Sequence, residues 1–381
     1  MAFAAGSLAT LAAVITAHTD VVGSLLRPPE LLAVRERFDR GEASAAELKR
    51  AEDRAVDAAV RLQEEAGIEV VTDGEMRRLS FQSGLPDAVD GFGTVPLEAY
   101  LWGDWKGDEV GNRATERPEA LGVREPLRRR RHIAAEDFTY LRGRATAIPK
   151  VTLTSPSLYA NLWSPEQSVE AYPTLDAFLE AVAELTRDEI GELARLGCTY
   201  IQLDAPHYPL LIDPRTRAFY EAQGWSVERW LDRGIELDNW VMEGHPGVTF
   251  GFHLCRGNQG SRWLAEGGYE PIARRVFSGV AADRLLLEYD DERSGSFQPL
   301  EHVPDDRMVV LGLVTTKSSR RETAEELETR VREASSHVDL ERLAISPQCG
   351  FATSVVGNAI TTDDQRAKLE VLARTAERIW G

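Results

Sequence analysis

"TLDAFLEAVAELTRDEIGELARLGCTYIQLDAP", residues 174–206, contains one complete turn of the pattern on which the fold reading rests. From Leu175 to Leu196 apolar residues recur at every third or fourth position, the spacing of one face of an α-helix. Thr174 is suited to cap the start of that helix and Gly197 to stop it. The run "YIQLDAP", 200–206, is then short, β-rich and closed by a turn sequence. A helix that hands directly to a buried strand is the repeating half of a parallel sheet.

The same alternation continues outward in both directions. β-rich runs stand at 21–26 ("VVGSLL"), 68–75 ("IEVVTDGE"), 148–156 ("IPKVTLTSP"), 248–255 ("VTFGFHLC"), 285–291 ("LLLEYDD"), 308–316 ("MVVLGLVTT") and 343–352 ("LAISPQCGFA"). With 200–206 that makes eight. A second amphipathic helix is predicted over 44–67, with Ser44 as its cap and Gly67 as its stop. Eight strand-helix units predict an α/β chain folded as a single (β/α)8 TIM barrel over residues 20–381, rather than an open doubly wound sheet. Residues 1–19 are apolar but have no basic n-region and are broken by Gly, Ser and Thr, so they read as a loose N-terminal leader. The rhythm breaks at about 92–146 and 207–247, read as insertions after strands 2 and 4. The first is expected to be a lid or an oligomer contact, with Tyr100, Trp102 and Trp105 packing it down or covering a substrate.

Composition excludes several classes. The 381 residues carry a formal charge of −18, so no nucleic acid and no membrane surface is expected as partner. The basic run "REPLRRRRH", 124–132, reads as a solvated segment or a local anion contact. Three scattered cysteines do not make a disulfide framework and point to a reducing, cytoplasmic setting with thiols free for chemistry.

In a barrel of this kind the C-terminal strand ends share one open face. His253 and Cys255 end the fifth run, Glu288 the sixth and Cys349 the eighth. Any one of them alone reads as an ordinary buried residue. Together, imidazole, two thiols and a carboxylate on one rim form a donor set that suits Zn2+ better than Mg2+ or Ca2+. Cys198 falls at the opposite end, before the fourth strand, and reads as core.

"DVVGSLLRP", "TDGEMRR", "IQLDAP", "HLCRGN", "LEYDDERSGSFQPL", "LGLVTTKS" and "SPQCGFA" resemble, in order, the motifs of the cobalamin-independent methionine synthase family, in its short single-barrel form. The resemblance covers about 20–381 outside the two insertions. It implies a catalytic Zn2+ held by His253, Cys255, Glu288 and Cys349, a methyltransferase activity on homocysteine, and a substrate pocket in which Ser24 meets the carboxylate while Glu75 and Asp204 meet the amine. Zinc makes a thiol nucleophilic at neutral pH, and Glu288 is the ligand expected to yield to it. The acidic run Asp290, Asp291, Glu292 with Arg293 is expected either to orient ligands or to be a solvated charge run.

Departures from the family pattern bear on the donor. The extra N-terminal barrel of the long enzymes has no counterpart in these 381 residues, Ala205 replaces a glutamate, and Lys317 stands near the position of a histidine that protonates the leaving amine. A corrinoid, a sulfonium or an epoxide therefore competes with folate as donor. One alternative is an epoxyalkane:coenzyme M transferase-like activity, for which Arg27, Arg77 and Arg78 would have to meet a sulfonate. Another is a non-catalytic zinc-binding barrel. A homo-oligomer is left open.

Overall fold

The computed structural model describes residues 14–95, 105–107, 121–222 and 226–381. Residues 1–13 of the expected leader, and residues 96–104 and 108–120 of the first expected insertion, Tyr100 and Trp102 among them, lie outside the described residues. Among the described residues ten strands run in chain order: β1 (Val70–Val71), β2 (Val89–Thr94), β3 (Leu121–Arg129), β4 (Ile148–Pro149), β5 (Val151–Thr154), β6 (Tyr200–Asp204), β7 (Thr249–Leu254), β8 (Arg284–Glu288), β9 (Met308–Val314) and β10 (Leu343–Pro347). β5 to β10 form one parallel sheet in sequential order, β1 pairs in parallel with β4, and β2 and β3 make an antiparallel hairpin. Sequential parallel neighbours need crossovers, and helices supply them.

The predicted helices form as their end signals require. Ser44 and Glu47 close a capping box on helix Ala45–Glu65, and Gly67 follows it at φ +84°. The Thr174 hydroxyl accepts from the Ala177 amide at the head of helix Leu175–Arg195, and Gly197 ends it at φ +87°. Between β6 and β7 the chain forms helices His207–Leu210, Pro214–Ala222 and Val227–Met242, the last capped by Ser226.

The first expected strand is the exception. Residues 21–26 form no strand; Thr19 makes a single parallel bridge to Ile345 of β10, and the Leu25 amide reaches the Gly74 carbonyl at 3.0 Å. The run "VVGSLL" is buried in a bend instead, because its backbone turns toward the loop after β1. The basic run 124–132 is likewise ordered for most of its length, as part of the β3 edge of the hairpin.

The α/β sheet is buried on both faces, and the period of two sorts its side chains. Ile201, Leu203, Phe250, Phe252, Leu254, Leu285, Leu287, Val309, Leu311, Leu343 and Ile345 join the large core under the helices. Their alternates point the other way. Leu286, Met308, Val310 and Ala344 make a small apolar plug on that second face. Below the plug, Asp20 meets Lys150 at 2.6 Å and Arg284 at 3.4 Å, all fully buried. Above it, at the C-terminal strand ends, the same alternation delivers Asp204, His253 and Glu288. Among the described residues no helix is long and apolar enough to cross a membrane.

Candidate metal centre and substrate pocket

Register places the first ligand candidate. His253 on β7 lies opposite Asp204 on β6 and Leu286 on β8. The chain leaves the sheet after Leu254, carries Cys255 into the buried rim, and turns at Gly257 with φ +91°, where a side chain would be strained and would press on the Trp105 ring. At the other end of the sheet the register of β10 slips between Ser346 and Pro347. The Gln348 amide then bonds the Val314 carbonyl at 2.8 Å, and Cys349 turns inward.

The Cys349 sulfur donates to the Cys255 sulfur at 3.9 Å. One donor atom each from His253, Cys255 and Cys349 lies within 4.8 Å of the others, and all three residues are buried. Both ring nitrogens of His253 are buried without a well-aligned hydrogen-bond partner. A buried imidazole left so is costly unless something else binds it, and a nitrogen with two sulfurs is what tetrahedral Zn2+ takes. The shared proton splits the thiols: the hydrogen bond from Cys349 holds Cys255 well below the usual thiol range, and the same bond with burial pushes Cys349 well above it.

Glu288 borders this trio but is not one of the three atoms that converge. Its Oε1 accepts from Lys317 Nζ at 3.1 Å and lies 3.5 Å from Arg293 Nη2, while Oε2 accepts from the Arg256 amide at 2.5 Å. Burial alone would raise this carboxyl; the Lys317 ammonium, then Arg256 and Arg293, hold it at about 2. Tyr269 braces the strand end, donating to the Leu254 carbonyl and accepting from the Glu288 amide. The acidic run beyond β8 is only partly solvated: Asp290 is buried 3.7 Å from Lys317, and Arg293 clamps Asp290 and Asp291.

Ser24, Glu75 and Asp204 surround the same rim. The Ser24 hydroxyl accepts from the Ala352 amide at 3.4 Å and sits where a Cβ on Gly350, the residue after Cys349, would fall, 2.0 Å from its oxygen. Glu75 has the strained φ of +56°; Thr152 donates to its Oε1 at 2.9 Å, and its Oε2 is buried without a hydrogen-bond partner. Asp204 accepts from Gln202 at 2.7 Å; burial pushes it up to about 7, against the pull of His253 and with the help of Glu75. All three arginines already have partners, and Arg78 Nη1 stands 3.9 Å from Glu75 Oε1. Arg27 donates to the carbonyls of Ala352, Ser354, Glu75 and Arg78, Arg78 donates to Thr152, and Arg77 pairs with Asp53.

Sequence reasoning assigned no role to Arg256, Asn258 or Tyr269, although the first two sit in the quoted "HLCRGN". Asn258 ties the rim together by donating to Thr316 and to the Gly350 carbonyl. Trp105 packs with Leu210, Leu264 and Ala265, and Lys106 bridges the Trp263 backbone, so this part of the first expected insertion is fastened beside the strand ends. Cys198 is a core residue, its thiol on the Tyr200 carbonyl and pushed up to about 12 by burial.

Comparison with known proteins decides the family. Residues 150–368 match the model of the cobalamin-independent synthase catalytic domain, over half of the chain and a span that includes His253, Cys255, Glu288 and Cys349. The chain belongs to the cobalamin-independent methionine synthase family. Membership makes it an enzyme of the methyltransferase class. It is 33% identical over 370 residues to the "Uncharacterized protein YxjH" of Bacillus subtilis (strain 168), covering 95% of this chain and 94% of that one. It is 26% identical over 335 residues to the methionine synthase of Pyrococcus abyssi, covering 87% and 86%. In fold it is similar to a B12-independent methionine synthase from Shewanella sp. W3-18-1, with a TM-score of 0.72 at 21% identity over 96% of this chain and 98% of that one.

Proposed function

We propose that this methionine synthase family member is a zinc-dependent thiol S-methyltransferase that converts homocysteine to methionine in the cytoplasm. The observation that carries the reading is the convergence of one buried nitrogen and two buried sulfurs within 4.8 Å, with Glu288 beside them. His253, Cys255 and Cys349 would hold the ion, and Glu288 is the displaceable fourth ligand. Bound zinc supplies Lewis acidity that keeps a substrate thiol ionised at neutral pH.

The chain's own residues do the rest. Glu75, with a free buried carboxylate oxygen, and Asp204 receive an ammonium group. Ser24, next to the Cys349 loop, receives the carboxylate. A homocysteine held at both ends presents its sulfur toward His253 and the two cysteines for attack on the methyl carbon. The engagement of Arg27, Arg77 and Arg78 with carbonyls and a carboxylate favours this amino thiol over a sulfonate such as coenzyme M.

The buried second face of the sheet, the Thr19–Ile345 bridge and the β1–β4 pair support a closed (β/α)8 barrel over 20–381, carrying insertions at about 92–146 and 207–247. The donor class is read as a methylated folate, corrinoid or sulfonium. The test is methionine formation, by mass spectrometry, from homocysteine and each donor with zinc-loaded protein. Methionine from at least one donor is expected. Product only from coenzyme M with an epoxide would replace this reading with the sulfonate one.

A further inference from the structure

The partner of Glu288 is the feature this reading leaves unexplained. Lys317 and Glu288 meet at 3.1 Å with side chains 6% and 0% exposed, in a position fixed from both sides. The Lys317 amide bonds Thr315, and the adjacent Thr316 is tied to Asn258, Gln348 and Asn358. On the other side Glu288 is anchored by the Arg256 amide. Every carboxylate oxygen of Glu288 is therefore satisfied without a metal, whereas neither ring nitrogen of His253 has a well-aligned hydrogen-bond partner.

Exchange of ligands at such a site has a charge problem. Two thiolates neutralise a divalent ion, so a carboxylate ligand leaves one net negative charge, and replacing it by a substrate thiolate leaves the same. The charge on the metal is conserved, but the released carboxylate would be a buried anion whose other near cation, Arg293 at 3.5 Å, is already shared with Asp290 and Asp291, and an under-compensated buried anion is strongly unfavourable. A cation at the place where the carboxylate goes removes that penalty.

We propose that Lys317 is a positioning residue that receives the Glu288 carboxylate when it leaves the metal, so that Glu288 alternates between the metal and the ammonium as the thiol substrate enters. This rests on the zinc-and-thiol reading above. The metal–carboxylate bond would break as the metal–sulfur bond forms, the substrate thiol would lose its proton to solvent, and the freed carboxylate would close the Lys317–Glu288 ion pair with no proton moving between those two residues. Asp290, 3.7 Å from the same ammonium, keeps Lys317 compensated while Glu288 is on the metal.

The test is a double-mutant cycle on the full zinc-loaded chain with Lys317→Met, Glu288→Gln and the pair, and with Lys317→Arg as the control that keeps the cation. L-homocysteine affinity is read by calorimetry, and the zinc ligands by X-ray absorption with and without the thiol. Lys317→Met should retain zinc but bind homocysteine at least about tenfold more weakly, and gain its sulfur neighbour only at higher thiol concentration. Lys317→Arg should lie within about threefold of wild type, and in the Glu288→Gln background Lys317→Met should change affinity by less than about threefold, because no anion is released. An equal loss in both backgrounds would reduce Lys317 to a distant charge and overturn the proposal, as would no loss in either. If wild-type zinc gains no sulfur from homocysteine, the proposal falls together with the functional reading; if wild type gains it and Lys317→Met behaves identically, the proposal falls alone.

Discussion

Cys255 and Cys349 are 94 positions apart in the chain, yet their sulfurs lie 3.9 Å from one another. Two different structural causes produce this. Cys255 follows β7 directly, so the pleat of a central strand aims it. Cys349 comes two residues after β10 and reaches the rim only because the register slips at Ser346 and Pro347. Substituting either sulfur should therefore remove a ligand without breaking the sheet. Cys255→Ser and Cys349→Ser are each expected to lower zinc affinity by at least ~100-fold, measured by chelator competition, with little change in the stability of the metal-free chain. Retention of zinc by both variants would remove the metal from this site.

The ammonium end of the substrate can be tested against a thiol that lacks it. Glu75→Gln keeps the shape of the side chain and leaves its neighbour Thr152 a partner. Its KM for homocysteine should rise by about tenfold or more, while its KM for 4-mercaptobutanoate stays near the wild-type value. Equal effects on the two thiols would place Glu75 in support of the loop and not in contact with the amine.

Gly350 is required by close approach. A Cβ there would stand 2.0 Å from the Ser24 hydroxyl and 3.1 Å from the Ser24 amide. Gly350→Ala should push Ser24 aside, destabilise the fold by ~1–3 kcal/mol, and raise the KM for homocysteine more than it lowers kcat. Calorimetric unfolding and steady-state kinetics measure the two effects separately. A variant with unchanged KM would show that Ser24 does not touch the substrate.

Asp238 gives a pH signature from a group outside the proposed ligand set. It is fully buried, accepts from Ser155 at 2.7 Å and Tyr208 at 2.6 Å, and is raised by burial from 3.8 to about 7. Between those two values the folded chain holds a proton that the unfolded chain has lost, so this group's contribution is fully present only below pH 3.8 and is lost as pH rises to about 7. Asp238→Asn does not titrate. Its stability relative to wild type should improve between pH 4 and pH 7.5 by roughly 3 kcal/mol, read from urea midpoints. Parallel profiles would mean that Asp238 is ionised in the folded protein.

Much of this architecture is written in short-range pattern. Capped amphipathic helices and apolar runs placed β4 to β10 and both long helices, and the strand-end rule placed His253, Cys255 and Cys349 on one rim. Three features were not legible. The run 21–26 has strand composition but lies in a bend, because its partner groups belong to the loop after β1 and to β10, far away in sequence. The hairpin of β2 and β3 carries Gly, Pro and a block of arginines, which mask its period of two. The third is the attachment of Glu288 to Lys317, a long-range ion pair that no spacing in either motif announces. Composition names the donors of a metal site, whereas the balance of charges around them appears only when the strands are side by side.

X-ray absorption at the zinc edge of the purified protein, with and without L-homocysteine and beside a Cys349→Ser control, reads both whether these residues hold zinc and whether that zinc takes the substrate sulfur. One zinc per chain with one imidazole and two sulfurs, gaining a third sulfur only when homocysteine is added, is the expected result. Zinc whose neighbours are unchanged by homocysteine, or protein that holds no zinc after loading, would contradict it.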